Sequence, residues 1–217
     1  MHYDPRRDTS PFPYDVFKSC TVPRPIGWLS TTSKSGLDNL APFSQWQNLT
    51  FDPPLVMFAA NRYPDGRQKD TVLNTLETGY FVWNMATWEL REAVNTSAMA
   101  LPFGVDEFEE AGVTKAPCLE APGPRVAESP CHFECEYHST HHIKGNSPVG
   151  SVDVVFGAVV RIHVNETYIL ETGKLDIPKI KPIARMGYYD YAVIDDVFEM
   201  KIPGASTEAL EGLEGKS

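Results

Sequence analysis

The sequence predicts a mainly β protein, a closed or split β-barrel decorated with short helices, and three observations carry that prediction. Runs rich in β-branched and aromatic residues recur along the chain, each bounded by Gly, Pro, Asn or Asp. The run 151–164 alternates over its length, with Val152, Val154, Phe156, Ala158, Val160, Ile162 and Val164 on one face, the pattern of a barrel wall. The connections between runs are long and carry helix signals, which a plain sandwich does not require.

The elements follow in order. The segment 27–32 alternates as a strand and is followed by a turn at Gly36 and a polar landing at 39–44. Strands are predicted at 55–60 and 80–85. Between them a helix over 71–78 starts behind Asp70 as a cap and stops at Gly79. A second helix is expected over 88–94 behind Thr87, and a third over 107–111, where Asp106 and Glu109 stand at capping-box spacing. Pro117 to Pro130 holds four prolines and reads as a connector before strands at 131–137 and 151–164. The 217 residues form a single domain over 1–205, with the acidic segment 206–217 a flexible tail.

Composition narrows function. A formal charge of −10 and pI near 5.0 exclude a general binder of nucleic acid or anionic membrane, so any anion is captured locally. The N-terminus lacks an apolar signal core and no run approaches the about 18 apolar residues of a membrane span, which points to a cytoplasmic protein. Four scattered cysteines, Cys20, Cys118, Cys131 and Cys135, read as reduced thiols. Neither a dinucleotide-binding Gly-x-Gly-x-x-Gly nor a phosphate-loop pattern occurs, so a nicotinamide donor must stack in the barrel cleft and has no nucleotide domain of its own.

Two segments carry chemistry. Pro23 to Ser44 places Ile26, Trp28, Ser30 and Thr32 on one strand face and adds hydroxyls and amides beyond the turn, a surface able to hold a flat ring and its polar tail. The same residues also suit an ordinary strand whose hydroxyls satisfy local backbone groups. Arg62 to Thr71 concentrates Arg62, Arg67 and Lys69 at a helix start, where amides and the helix dipole favour an anion such as phosphate. Asp70 would repel that anion and reads as an organiser of the turn.

These residues, taken together, resemble the flavin reductase-like family of FMN-binding split-barrel proteins. The resemblance runs through Pro-Arg-Pro-Ile-Gly-Trp-Leu-Ser-Thr at 23–31, Asn-Leu-Ala-Pro-Phe-Ser at 39–44, Asp-Pro-Pro at 52–54 and Lys-Asp-Thr at 69–71. It continues through Phe-Val-Trp-Asn at 81–84, Asp-Glu-Phe at 106–108, Ala-Glu-Ser-Pro at 127–130 and Pro-Ile-Ala-Arg-Met-Gly-Tyr at 182–188. It implies a six-stranded, Greek-key-related barrel, a homodimer with flavin near the subunit interface, and non-covalent FMN. By motif, Ser30, Thr31, Thr32, Asn39, Leu40, Ala41 and Ser44 line the isoalloxazine and ribityl region; Arg62, Lys69 and Thr71 take the phosphate; Arg185 approaches the flavin or the partner. The activity implied is NAD(P)H-dependent flavin reduction, with NADH or NADPH as donor and free flavin, oxygen, ferric iron or a partner flavin-dependent monooxygenase as acceptor. The cofactor supplies the redox chemistry, so no catalytic side chain is nominated. A flavin carrier, sensor or structural dimer without turnover is the competing class.

The run Cys131 to His142 invites a metal reading, but on a strand Cys131 and Cys135 point one way and His132 and His138 the other. A half-buried strand with an exposed His-rich end accounts for it, and no metal is expected. His163 falls on the polar side of its strand, as a surface histidine.

Overall fold

The computed structural model describes residues 1–102, 104–200 and 202–204; the predicted tail, 206–217, lies outside them. In chain order the strands are β1 (Arg24–Pro25), β2 (Gly27–Thr32), β3 (Asp38–Phe43), β4 (Trp46–Phe51), β5 (Pro54–Asn61) and β6 (Tyr80–Asn84). They continue as β7 (Lys115–Ala116), β8 (Arg125–Val126), β9 (Cys131–Ile143), β10 (Val152–Val164), β11 (Ile183–Gly187) and β12 (Asp190–Val193). The helices are α1 (Asp70–Thr78), α2 (Arg91–Thr96), α3 (Glu107–Ala111) and α4 (Ile177–Ile180).

Seven antiparallel strands, in the order β3-β2-β6-β9-β10-β5-β4, make the main sheet; β1-β11-β12 form a second and β7-β8 a third. The main sheet curls until β3 meets β5, where the Phe43 and Phe58 rings lie 5.4 Å apart and Ala59 N–H donates to the Gln45 carbonyl. The result is a split β-barrel. Its interior is filled by Leu29, Trp46, Phe58, Phe81, Trp83 and Val155, with the Trp46 and Trp83 rings stacked at 5.7 Å. Gly27 permits that stack, because a Cβ there would lie 3.0 Å from Trp46. A second core of Ile26, Trp28, Leu40, Val94, Phe108 and Val126 lies on the other side of β2, beneath α2 and α3. Both faces of β2 are therefore buried, and Trp28 and Ser30 are packed against protein, closed to a ring.

Several local expectations shift. The polar landing at 39–44 is itself a strand paired with β2, and β4, β11 and β12 join the strands expected. Helix α1 begins at Asp70 with Lys69 as its N-cap, so Asp70 occupies the first helical position and does not cap; Gly79 ends the helix at φ 81° as expected. Helix α2 starts three residues late because Trp88 to Leu90 form a turn and Thr87 bridges to Pro182. Asp106 caps α3 by accepting from Phe108 N–H.

The first half of β10 is inverted relative to the alternation. Asp153, Val155 and Gly157 face inward, while Val160, Ile162 and Val164 are 40%, 56% and 37% exposed. Bulges at Phe156/Gly157 and Val159/Arg161 break the parity, and Gly157 is inward because Phe81 fills its place. Among the described residues no helix is long and apolar enough to cross a membrane.

Candidate functional site

Two adjoining clefts open beside β3, and Pro42 and Ala98 line both. The narrower, ≈ 150 Å³, runs from Asn39 and Ala41 on β3 past Tyr63 and Lys69 to Thr71 in the first turn of α1, with the Ala98–Leu101 segment on another side. The wider, ≈ 490 Å³, is lined by Ser44 at the β3–β4 corner, by Lys18 and Arg24 before β2, and by Arg185 and the tyrosines of the β11–β12 hairpin.

The narrow cleft is held by a buried amide and hydroxyl network. Asn39 Nδ2 donates to Thr71 Oγ1 at 3.0 Å, and Asn74 Nδ2 donates to Thr31 Oγ1 at 3.1 Å. These bonds tie β2 and β3 to the first two turns of α1, so the helix N-terminus is fixed over the cleft. Lys69 Nζ rests 3.6 Å above the Tyr63 ring centroid, a cation–π contact that leaves the ammonium without a carboxylate in ion-pair range among the described residues. Burial pulls its pKa down, against the field of Asp70, which raises it. Glu107 closes the far side and accepts from Leu40 N–H; burial pushes its carboxyl upward despite that hydrogen bond.

The nominated residues divide. Asn39, Ala41, Lys69 and Thr71 line the narrow cleft, and Ser44 and Arg185 the wide one. Ser30, fully buried, donates to the Pro124 carbonyl and accepts from Asn84; Thr32 donates to Asp38; Leu40 belongs to the second core. Thr31 reaches the cleft only through Asn39. Arg62 is turned away and grips buried Asp153 through Nε and Nη2 at 3.0 and 2.9 Å, with His142 on the same carboxylate. Its guanidinium also donates to the Gly66 carbonyl, so it braces the 62–69 loop. Tyr63 and Arg24 lie inside the segments 62–71 and 23–44, where their aromatic and cationic types mark them. The Ala98–Leu101 segment carries small and apolar residues with no motif, and nothing local marks it.

Glu134, fully buried, has its partners inside the fold, and Cys118 is half-buried beside it. Burial alone would raise the Glu134 pKa, but the N–H groups of Leu119, Ala121 and Glu120 together with His163 hold it at about 2. Burial, with the nearby Glu134 charge, pushes the Cys118 thiol up to about 12. Among the described residues no group of three or more His, Cys, Asp or Glu side chains is placed to hold a metal ion.

Residues 19–177 match the flavin reductase like domain. The chain belongs to this family. The matched span takes in the whole narrow cleft, whereas Arg185 and the hairpin tyrosines of the wide cleft lie beyond it. An uncharacterised protein of Aquifex aeolicus is 36% identical over 178 residues, covering 81% of this flavin reductase-like chain and 88% of the relative. Nitrilotriacetate monooxygenase component B from Bacillus cereus superposes with a TM-score of 0.84 at 29% identity, over 92% of this chain and 98% of that one. Flavoredoxin of Desulfovibrio vulgaris superposes at 0.72 and 17% identity, over 85% and 93% of the two chains, a likeness of fold.

Proposed function

We propose that this flavin reductase-like protein is an FMN-binding, NAD(P)H-dependent oxidoreductase whose electrons pass to free flavin, oxygen, ferric iron or a partner oxygenase. The observation that carries the reading is the pair of clefts meeting at Pro42 and Ala98. The narrow one is below the about 300–1,000 Å³ of typical ligand pockets, and the two together come within it. A cofactor that is narrow and anionic at one end and broad at the other fits that outline.

Lys69, the free N–H groups of the first turn of α1 and the Thr71 hydroxyl hold the phosphate. Asn39 and the backbone at Ala41 orient the polyol chain, and the β3–β4 corner with Ser44 supports the ring. Bound FMN supplies two-electron chemistry, between a nicotinamide donor and the acceptor. The chain contributes position, exclusion of water and hydrogen-bond donors toward the ring edge, with no protein nucleophile. The likeness to a monooxygenase component supports a partner oxygenase among the acceptors.

We place the protein in a homodimer, because Val160, Ile162 and Val164 leave an apolar strip exposed along the C-terminal half of β10. Ile162→Lys is expected to shift sedimentation from dimer to monomer; an unchanged dimer moves the interface elsewhere. The activity is tested by mixing FMN-loaded protein with NADH or NADPH without oxygen and following the flavin absorption band. Bleaching with at least one donor is expected. Stable FMN binding with no bleaching by either leaves a flavin carrier and removes the reductase.

A further inference from the structure

We infer that the wide cleft is a binding site for a small aromatic carboxylate, recognised by Lys18, Arg24 and Arg185 among the tyrosines of the β11–β12 hairpin. The inference deepens the flavin reading, since the ring would share this cleft along Pro42 and Ser44.

The first observation is charge without partners. Arg6, Arg7, Arg62, Arg67, Arg91 and Arg161 each pair with a carboxylate. Lys18, Arg24 and Arg185, like Arg125 elsewhere, form no ion pair among the described residues, and these three line this one cleft of a chain whose formal charge is −10. A single carboxylate, Asp15, lines it with them, and that side chain accepts from Phe17 N–H. Arg24 spends Nη1 on the Lys18 and Thr21 carbonyls, while its Nε is buried with no hydrogen-bond partner. A buried guanidinium N–H left unmade is costly, and Nη2 of the same group, which makes no hydrogen bond among the described residues, is left to meet an acceptor arriving in the cleft. Arg185 donates to the Tyr188 carbonyl and stacks 4.6 Å from the Tyr191 ring centroid. Two planar forks and an ammonium suit a planar carboxylate, which they can meet through paired N–H donors.

The second observation is aromatic. Tyr14, Tyr188, Tyr189 and Tyr191 line the same cleft, and Tyr14 of the N-terminal segment meets Tyr188 edge to face at 5.7 Å. Tyr188 sits at φ 48°, the left-handed region that a bulky residue seldom adopts, directly after Gly187 at φ 92°. That turn costs backbone energy and presents two consecutive tyrosines at the cleft mouth: Tyr188 meets Tyr14, whereas Tyr189 is 91% exposed, which packing within the chain does not explain. Tyrosine faces beside guanidinium groups accept a flat ring by stacking and by their edges.

The test uses the full chain with and without FMN and benzoate as probe, followed by calorimetry and by perturbation of the bound flavin spectrum. Benzoate is expected to bind about tenfold or more tightly than its neutral isostere benzamide, the scale of one charge-assisted contact. Lys18→Glu, which reverses one exposed charge and removes no hydrogen bond, is expected to weaken benzoate at least about fivefold and to leave the ratio of FMN to riboflavin affinity unchanged. Equal binding of benzamide, or tighter binding of inorganic phosphate than of benzoate, overturns the inference. So does a Lys18→Glu protein that loses FMN while keeping riboflavin, since the cations would then serve the cofactor phosphate. If FMN fails to bind at all, the flavin reading falls, and the benzoate and benzamide titrations of the cofactor-free protein still decide the carboxylate site.

Discussion

Lys69 concentrates the phosphate question in one side chain. Its ammonium is parked on the Tyr63 ring, partly buried, at the N-cap of α1, with two unpaired helix N–H groups close by. Burial has already lowered its pKa, so a phosphate arriving beside it restores the interaction that solvent no longer supplies. A charge-assisted hydrogen bond of this kind contributes about 1.5–3 kcal/mol, which is roughly ten- to a hundredfold in affinity. Lys69→Ala is therefore expected to weaken FMN by about that factor and riboflavin, which lacks the phosphate, by under about threefold. Titration of both flavins checks it, and equal losses would move the phosphate away from α1. Arg62 shows the opposite outcome for the same residue type. It stands in the same basic run, yet buried Asp153, ninety-one residues away in sequence, captures it. Burial works against the Asp153 carboxylate, but Arg62 and His142 hold its pKa low, and the pair braces the loop that delivers Lys69. No local pattern could separate the two cations, because the partner that claims one of them comes from another strand.

At the scale of elements, the strand β10 separates what is legible from what is not. Its existence and length follow from alternation, whereas the facing of its first half does not, because the inner position with the strongest packing role is a glycine. A Cβ on Gly157 would sit 2.5 Å from Phe81 Cε1 and Cζ, and Phe81 is itself buried against Phe58. Hydrophobicity counts the side chain that is present and is silent about the one that a neighbour contributes. Gly157→Ala is expected to destabilise the fold by about 1–3 kcal/mol through overpacking, read as a lower urea midpoint at unchanged slope. A variant as stable as the parent would mean that Phe81 does not pack across β10. The same limit explains β2. Its two buried faces read as one ring-binding face plus one core face until α2, α3 and the 124–126 segment are in place, and Ser30 is then spent on Pro124 and Asn84. The clefts themselves were half legible. Asn39, Ala41, Lys69 and Thr71 announced the narrow one by motif, whereas the wide one joins residues 14–24, 42–44 and 185–191, which only the β1-β11-β12 sheet brings together.

The whole molecule answers to acid through two residues next to one another in alternation on β9. His132 donates from Nε2 to the Val126 carbonyl at 2.7 Å, which leaves Nδ1 as the bare nitrogen, buried with no partner. Burial is the largest influence on it and, with Arg125 and His163 nearby, lowers its pKa from 6.5 to about 4 despite the Val126 bond. A folded-state pKa below the unfolded one means that the unfolded chain takes up the proton first, so this contribution is complete above about pH 6.5 and is lost as pH falls toward 4. In the limit that amounts to about 3 kcal/mol. Glu134 acts lower on the scale: ionised stability is present above its ordinary value of 4.5 and is lost as pH falls toward about 2. The two windows abut, so unfolding free energy is expected to decline continuously from near neutrality downward, beginning before any ordinary carboxylate titrates. His132→Asn keeps a donor for the Val126 carbonyl but cannot titrate. It is expected to flatten the decline between pH 6.5 and 4 while leaving the fall below pH 4 that Glu134 causes. Urea unfolding across that range reads both effects, and a parent protein whose stability stays level from pH 6.5 to 4 would show that His132 is not held neutral at the β9 core.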